Sequence, residues 1–212
     1  MKINSILFDL DNTIYPESEY FFQILIEFCK IEKIEFQKFN FLFENFDHFR
    51  FTKSNIFSFI LRECNEYSDD RQELLFQLYS SINTTINPYP GIEEWLEYCK
   101  INKIQIGILT NGIIEAQNNK WKCLNLDKSN IIFYPSRSLG KDKPDAATFE
   151  KLIEISGFNI KNTLFVGDRF SNDLEYGYQA GAPCLLIGSE NEKVANFTDH
   201  QAAFSYFKTE FI

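Results

Sequence analysis

Two aspartates, Asp9 and Asp11, close the apolar run from Ser5 to Phe8 and stand two residues apart. On extended backbone that spacing lets both side chains lean toward the same space. One carboxylate can attack while the other handles protons. A phosphate monoester suits such a pair, but it is a dianion, and a carboxylate approaches it only where strong positive charge is close. A magnesium ion held by carboxylate oxygens supplies that charge. Asp168, after the run Thr163 to Val166, is the natural distal ligand, and Asp173, at an expected helix start, completes or orients the coordination sphere. Thr110, Asn111 and Gly112 lie where a strand turns into a helix, so hydroxyl, amide and backbone N–H groups can hold phosphate oxygens there. Lys143 adds a mobile point charge.

Such residues work together only if a scaffold brings distant segments to one rim. Five short apolar runs read as buried parallel strands: Ser5 to Phe8, Ile104 to Leu109, Ile131 to Tyr134, Thr163 to Val166 and Cys184 to Ile187. Between them, Ile92, Trp95, Leu96 and Cys99 follow helix spacing, as do Phe149, Leu152 and Ile153 before a terminating Gly157. The alternation predicts an α/β fold, a Rossmann-like parallel five-stranded sheet with helices on both faces. In such sheets ligands bind beyond the carboxyl ends of the strands, where Asp9, Thr110 and Asp168 fall.

Residues 17–87 break the alternation. Helical patterns run through Phe21 to Ile31, Ile56 to Cys64 and Leu74 to Ile82 with no strand among them, and Pro88 and Pro90 mark the return to the main body. The expected organisation is a core of residues 1–16 and 88–212 interrupted by an all-helical insertion. The aromatic stretch from Phe39 to Phe51 reads as helix-packing core, with the lining of a ligand cleft as the alternative, Trp95 and Trp121 as helix-to-sheet packing, and His48 and His200 as structural or surface residues.

A formal net charge of −9 argues against a nucleic-acid polymer as partner, because phosphate-backbone affinity comes from clustered Lys and Arg. A small phosphorylated metabolite needs only a local site. The five cysteines show no C-x-x-C spacing and read as free thiols. No leader pattern and no membrane-spanning run is evident, which sets the cytoplasm as the expected location, with no membrane partner and a monomer favoured over a homodimer.

Four segments, Asp9-Leu10-Asp11-Asn12-Thr13, Thr110-Asn111-Gly112, Lys143-Pro144-Asp145 and Gly167-Asp168-Arg169-Phe170-Ser171-Asn172-Asp173, resemble the four motifs of the haloacid dehalogenase-like hydrolase superfamily. The insertion sits where its members with an alpha-helical cap carry that cap. The resemblance implies a nucleophile and metal ligand in Asp9. Asp11 would protonate the leaving oxygen, activate water against the aspartyl-phosphate, and touch Mg2+ through its backbone carbonyl. Thr110 and Asn111 would bind the phosphoryl group, Lys143 would neutralise charge, Asp168 would ligate Mg2+, and Asp173 would support that site. Lys141 lacks the Pro-Asp context that Lys143 has. Arg169 departs from the pattern, since many relatives have a small hydroxyl residue there.

The implied activity is Mg-dependent hydrolysis of a small phosphorylated metabolite, and Gln117 and Leu124 after the second motif resemble members acting on nucleoside monophosphates or sugar phosphates. A sugar-phosphate mutase stands as the alternative. A haloacid dehalogenase is disfavoured by Asp11, which relatives of that kind lack, and a silent binding protein by the complete acid set.

Overall fold

The computed structural model describes residues 2–211. Strand β1 (Ser5–Phe8) lies inside a parallel sheet with β2 (Gln105–Thr110), β3 (Ile131–Pro135), β4 (Thr163–Gly167), β5 (Cys184–Ile187) and β6 (Ala195–Phe197), in the order β3-β2-β1-β4-β5-β6. The sheet therefore has six strands where five apolar runs were legible. The additional strand, Ala-Asn-Phe, has no apolar run to announce it; its three residues are held at the edge by parallel pairing with β5.

Period-two alternation divides the sheet's side chains between two cores. Ile6, Phe8, Ile108 and Val166 face one layer, where Trp95 of α5 (Ile92–Ile101) meets Phe8 at 5.3 Å between ring centroids and stacks on Phe204 of α9 (His200–Glu210). Leu7, Phe165 and Leu186 face the other, beneath Phe149 and Leu152 of α7 (Ala146–Ser156). Trp121, on α6 (Ile114–Cys123), stacks on Phe133 of β3. Both tryptophans thus pack helix on sheet, as expected. The five cysteines are all free thiols.

Between β1 and α5 the chain forms α1 (Glu17–Glu32), α2 (Phe46–Thr52), α3 (Ile56–Glu63) and α4 (Asp69–Ser81), with no strand among them. Side-chain caps start two of these: Asn55 accepts from the Ser58 amide and Ser68 from that of Arg71. Aromatic faces hold the bundle, with Phe21 packed on Phe46 and Phe57, and Phe57 on Phe76. Its buried residues form one continuous cluster with those of the sheet, so the bundle rests on the main body instead of hanging from it. No helix among the described residues is long and apolar enough to cross a membrane.

Register decides the rest. Phe8 is level with Ile108 on β2 and with Val166 on β4. All three strands run the same way, so Asp9, Thr110 and Asp168 leave the sheet at the same rim, where strand order switches side.

His200 is 2 % exposed, stacks on Tyr89, and neither ring nitrogen meets hydrogen-bond geometry among the described residues. Burial outweighs the neighbouring Asp199 carboxylate and the Thr13 backbone, and lowers its pKa from 6.5 to about 4. The unfolded chain therefore takes up this proton first as pH falls. The stability that neutral His200 gives is complete above pH 6.5 and drains away toward pH 4, at up to roughly 1.4 kcal/mol per pH unit. Urea unfolding of His200→Leu should show a shallower loss of stability across that window than the parent; an unchanged slope would show that the ring does not titrate this way.

Candidate active site

Asp9 continues the β1 ladder by donating its amide to the Val166 carbonyl at 2.9 Å. Beyond Leu10 the chain turns sharply. The Ile14 amide bonds back to the Leu10 carbonyl, and Asn12 adopts a left-handed φ of 58° while its side-chain oxygen accepts from the Glu17 amide at 2.9 Å, at the start of α1. That turn sets the Asp11 carboxylate beside Asp9 at the mouth of a cavity of about 100 Å3. Asp9, Asp11, Thr110, Asn111, Lys143, Asp168 and Asp173 all line it.

Lys143 is 5 % exposed and donates to Asp9 Oδ1 at 2.5 Å and to Asp173 Oδ1 at 2.7 Å. Burial works against its charge, but Asp173 and Asp9 outweigh that and hold the ammonium well above the ordinary lysine range. Its backbone is clamped by Asn111, whose side-chain amide donates to the Lys143 carbonyl at 2.8 Å and whose oxygen accepts the Lys143 amide at 2.7 Å. The Asn111 side chain thus secures the lysine. Lys141 is exposed and pairs with Asp145, itself the cap of α7, so the two lysines are separated as their contexts indicate.

Asp173 lies in a π-helical turn, Phe170–Leu174, rather than at the start of an α-helix. Both its oxygens are engaged, Oδ1 by Lys143 and Oδ2 by the Arg169 amide at 3.1 Å. It packs so closely on the end of β4 that a Cβ at Gly167 would sit 2.4 Å from its own Cβ. Glycine is the residue that fits there. Gly112, with φ +136°, does not line the cavity; its missing Cβ makes room for Gln117, whose Oε1 accepts from Thr110 Oγ1 at 3.1 Å. His48 is exposed and outside the cavity.

The donor set fits a hard divalent cation. Oxygens of Asp9, Asp168 and Asp173 lie within 4.8 Å of one another. Burial, with the like charges of Asp9 and Asp173, pushes the Asp168 carboxyl up to about 9, and burial also raises Asp9 to about 7 against the pull of Lys143. Crowded carboxylates in this state want a cation beyond the one lysine. Asp168 accepts no hydrogen bond on its carboxylate among the described residues, and Lys143 occupies only one Asp9 oxygen, so these two have oxygens to offer while Asp173 stands behind them.

The sequence gives no role to Lys120, yet its side chain is fully buried and touches Asp11 at 2.9 and 2.8 Å and Glu17 at 3.1 Å. Tyr15 donates a further hydrogen bond to Asp11 at 2.5 Å, and Arg50 of α2 binds Glu17 through two N–H groups at 3.1 Å. Burial opposes charge on Glu17, but Lys120 and Arg50 prevail and hold its carboxyl down to about 2. A signal did exist: Ala116, Lys120 and Cys123 share the buried stripe of α6, where a lysine is out of place unless paired. Phe51, from the stretch read as helix core, instead stands 46 % exposed at the cavity, whereas Phe39 and Phe46 do pack inside.

The profile of the haloacid dehalogenase-like hydrolases matches residues 6–187. The chain is 24% identical over 202 residues to the glyceraldehyde 3-phosphate phosphatase of Methanocaldococcus jannaschii, covering 87% of this chain and 85% of the relative. It is 23% identical to the pyrophosphatase PpaX of Halalkalibacterium halodurans, over 89% of this chain and 85% of that one. Against the glyceraldehyde 3-phosphate phosphatase of Methanothermobacter thermautotrophicus the identity is 26%, over 50% of this chain and 46% of the relative, so the chain spans about half the length of that protein. Among solved structures, the HAD-hydrolase YfnB of Bacillus subtilis, bound to magnesium, superposes with a TM-score of 0.71 at 18% identity, covering 98% of this chain and 100% of that one. The chain belongs to the haloacid dehalogenase-like hydrolases.

Lys120→Met would leave Asp11 without a cation and Glu17 with Arg50 alone. It should lower unfolding free energy by about 3–5 kcal/mol in urea titrations. A loss below about 1 kcal/mol would show that the pairs are structurally idle.

Proposed function

We propose that this protein is a Mg-dependent phosphatase of small phosphorylated metabolites that works through an aspartyl-phosphate. The observation that carries this reading is the meeting of Asp9, Asp11, Lys143, Asp168 and Asp173 around one cavity from three separate segments. Asp9, Asp168 and the Asp11 backbone carbonyl would hold Mg2+, with Asp173 behind them. The ion, when bound, supplies the positive charge that lets a dianion approach a carboxylate.

A carboxylate oxygen of Asp9 attacks phosphorus as the bond to the leaving oxygen breaks. Lys143 keeps Asp9 aimed and offsets charge on the transferred group. Thr110 and the turn through Asn111 receive phosphoryl oxygens. Asp11 delivers a proton to the leaving oxygen, then removes one from water as that water cleaves the acyl phosphate, which frees inorganic phosphate and restores Asp9. Tyr15 and Lys120 fix the Asp11 carboxylate for both steps.

Residues 17–87 serve in this reading as a cap over the core of residues 1–16 and 88–212. Arg50 and Phe51 of α2 line the cavity beside the core residues, which supports a role in covering substrate and excluding water. The cavity of about 100 Å3 is open on one side, so it takes the phosphoryl end of either a sugar phosphate or a nucleoside monophosphate.

Purified protein should release phosphate from a generic monoester only with Mg2+, and chelation or Asp9→Asn should abolish the activity. Turnover that persists in Asp9→Asn would sink the aspartyl-phosphate. Asp11→Asn should cut turnover by at least about a hundredfold, in line with loss of a general acid–base, while Mg2+ binding is largely kept because its backbone carbonyl remains. Normal turnover in that variant would remove Asp11 from proton transfer.

A further inference from the structure

Three cations line the catalytic cavity: Lys143, Arg50 and Arg169. Lys143 is taken by Asp9 and Asp173, and Arg50 by Glu17. Arg169 alone of the three has no carboxylate oxygen within ion-pair distance among the described residues. Its backbone is nevertheless fixed. The amide donates to Asp173 Oδ2, and the carbonyl accepts from the amides of Asn172 and Asp173 in the π-helical turn. Its guanidinium lies over the Phe51 ring of α2, 4.3 Å from the centroid. Stacking on an aromatic face orients the planar fork without using its N–H donors. Those donors remain available for a ligand.

The transferred phosphoryl group already has its positive partners in Lys143 and the metal. A further unpaired guanidinium at the same cavity is surplus to that group and matches planar, bidentate recognition of another anion. We propose that the substrate carries a second anionic group, a carboxylate or a second phosphate, and that Arg169 on its Phe51 platform receives it. This rests on the phosphatase reading and narrows it to short phosphorylated acids or compounds with two phosphates. Arg169 lines the same cavity as Lys143 and Asp9, which keeps the two anions near each other.

Non-hydrolysable phosphonates test this by binding. Calorimetric titration of the Mg-loaded protein with ethylphosphonate, phosphonoacetate and methylenediphosphonate compares one anion with two. Whichever doubly anionic compound binds more tightly tells carboxylate from phosphate. We expect at least one of them to bind about tenfold or more tightly than ethylphosphonate, the equivalent of one charge-assisted contact. That ratio should collapse toward one in Arg169→Met and return in part in Arg169→Lys. Chelation of free metal by the ligands is common to parent and variants and cancels in the comparison. A parent that binds all three alike, or an Arg169→Met protein with the parent's ratio, would overturn the proposal and leave the phosphatase reading standing. Failure to bind any of the phosphonates would overturn both.

Discussion

Burying several carboxylates together is unfavourable unless positive charge is buried with them, and this site is organised by that constraint. Lys143 joins Asp9 to Asp173, and Lys120 joins Asp11 to Glu17. Each lysine is almost wholly removed from solvent, so neither interaction is screened as a surface pair would be. The lysines come from different segments, one preceding α7 and one on α6, and each fixes an aspartate of the first turn. The positions of Asp9 and Asp11 are thus set from outside their own loop.

The two lysine clusters differ in what they leave undone. Around Lys143, the acids outnumber the cation, and the raised Asp168 and Asp9 carboxyls express that imbalance, which a divalent ion relieves. Around Lys120, Arg50 adds a second cation, and Glu17 is held low. The first cluster therefore fits a divalent cation. The second is closed, and it ties the turn after β1 to α1 and α2 of the helical segment.

That tie places the helical segment at the cavity. Glu17 begins α1, Arg50 and Phe51 close α2, and all three face the cavity that β1, β2 and β4 open onto. At the cavity, α2 meets the core through Phe51 on Arg169, a semi-polar contact and not interdigitated apolar core. Contacts of that kind exchange with water and ligand more readily than packed aromatics do.

Much of this was legible from local pattern. The strand of Cys184–Ile187 and the helices around Trp95 and Phe149 follow from apolar periodicity, because a buried sheet and an amphipathic helix leave different spacings in the chain. Asp9, Asp11, Lys143 and Asp168 could be named because they sit at strand ends or in motif context. Strand β6 and helix α2 could not, since a three-residue edge strand and a two-turn helix have too little periodicity and exist through their neighbours. Lys120, Glu17 and Arg50 were hidden for a related reason: charge pairing across 33 to 109 residues leaves no mark in local spacing. The chain by itself determined the alternation of elements and the types of group at each strand end, which are local properties of backbone and side chain. Only the tertiary structure decided which cation meets which acid, and which cation is left without one, because Coulomb contacts depend on distance in space and not along the chain.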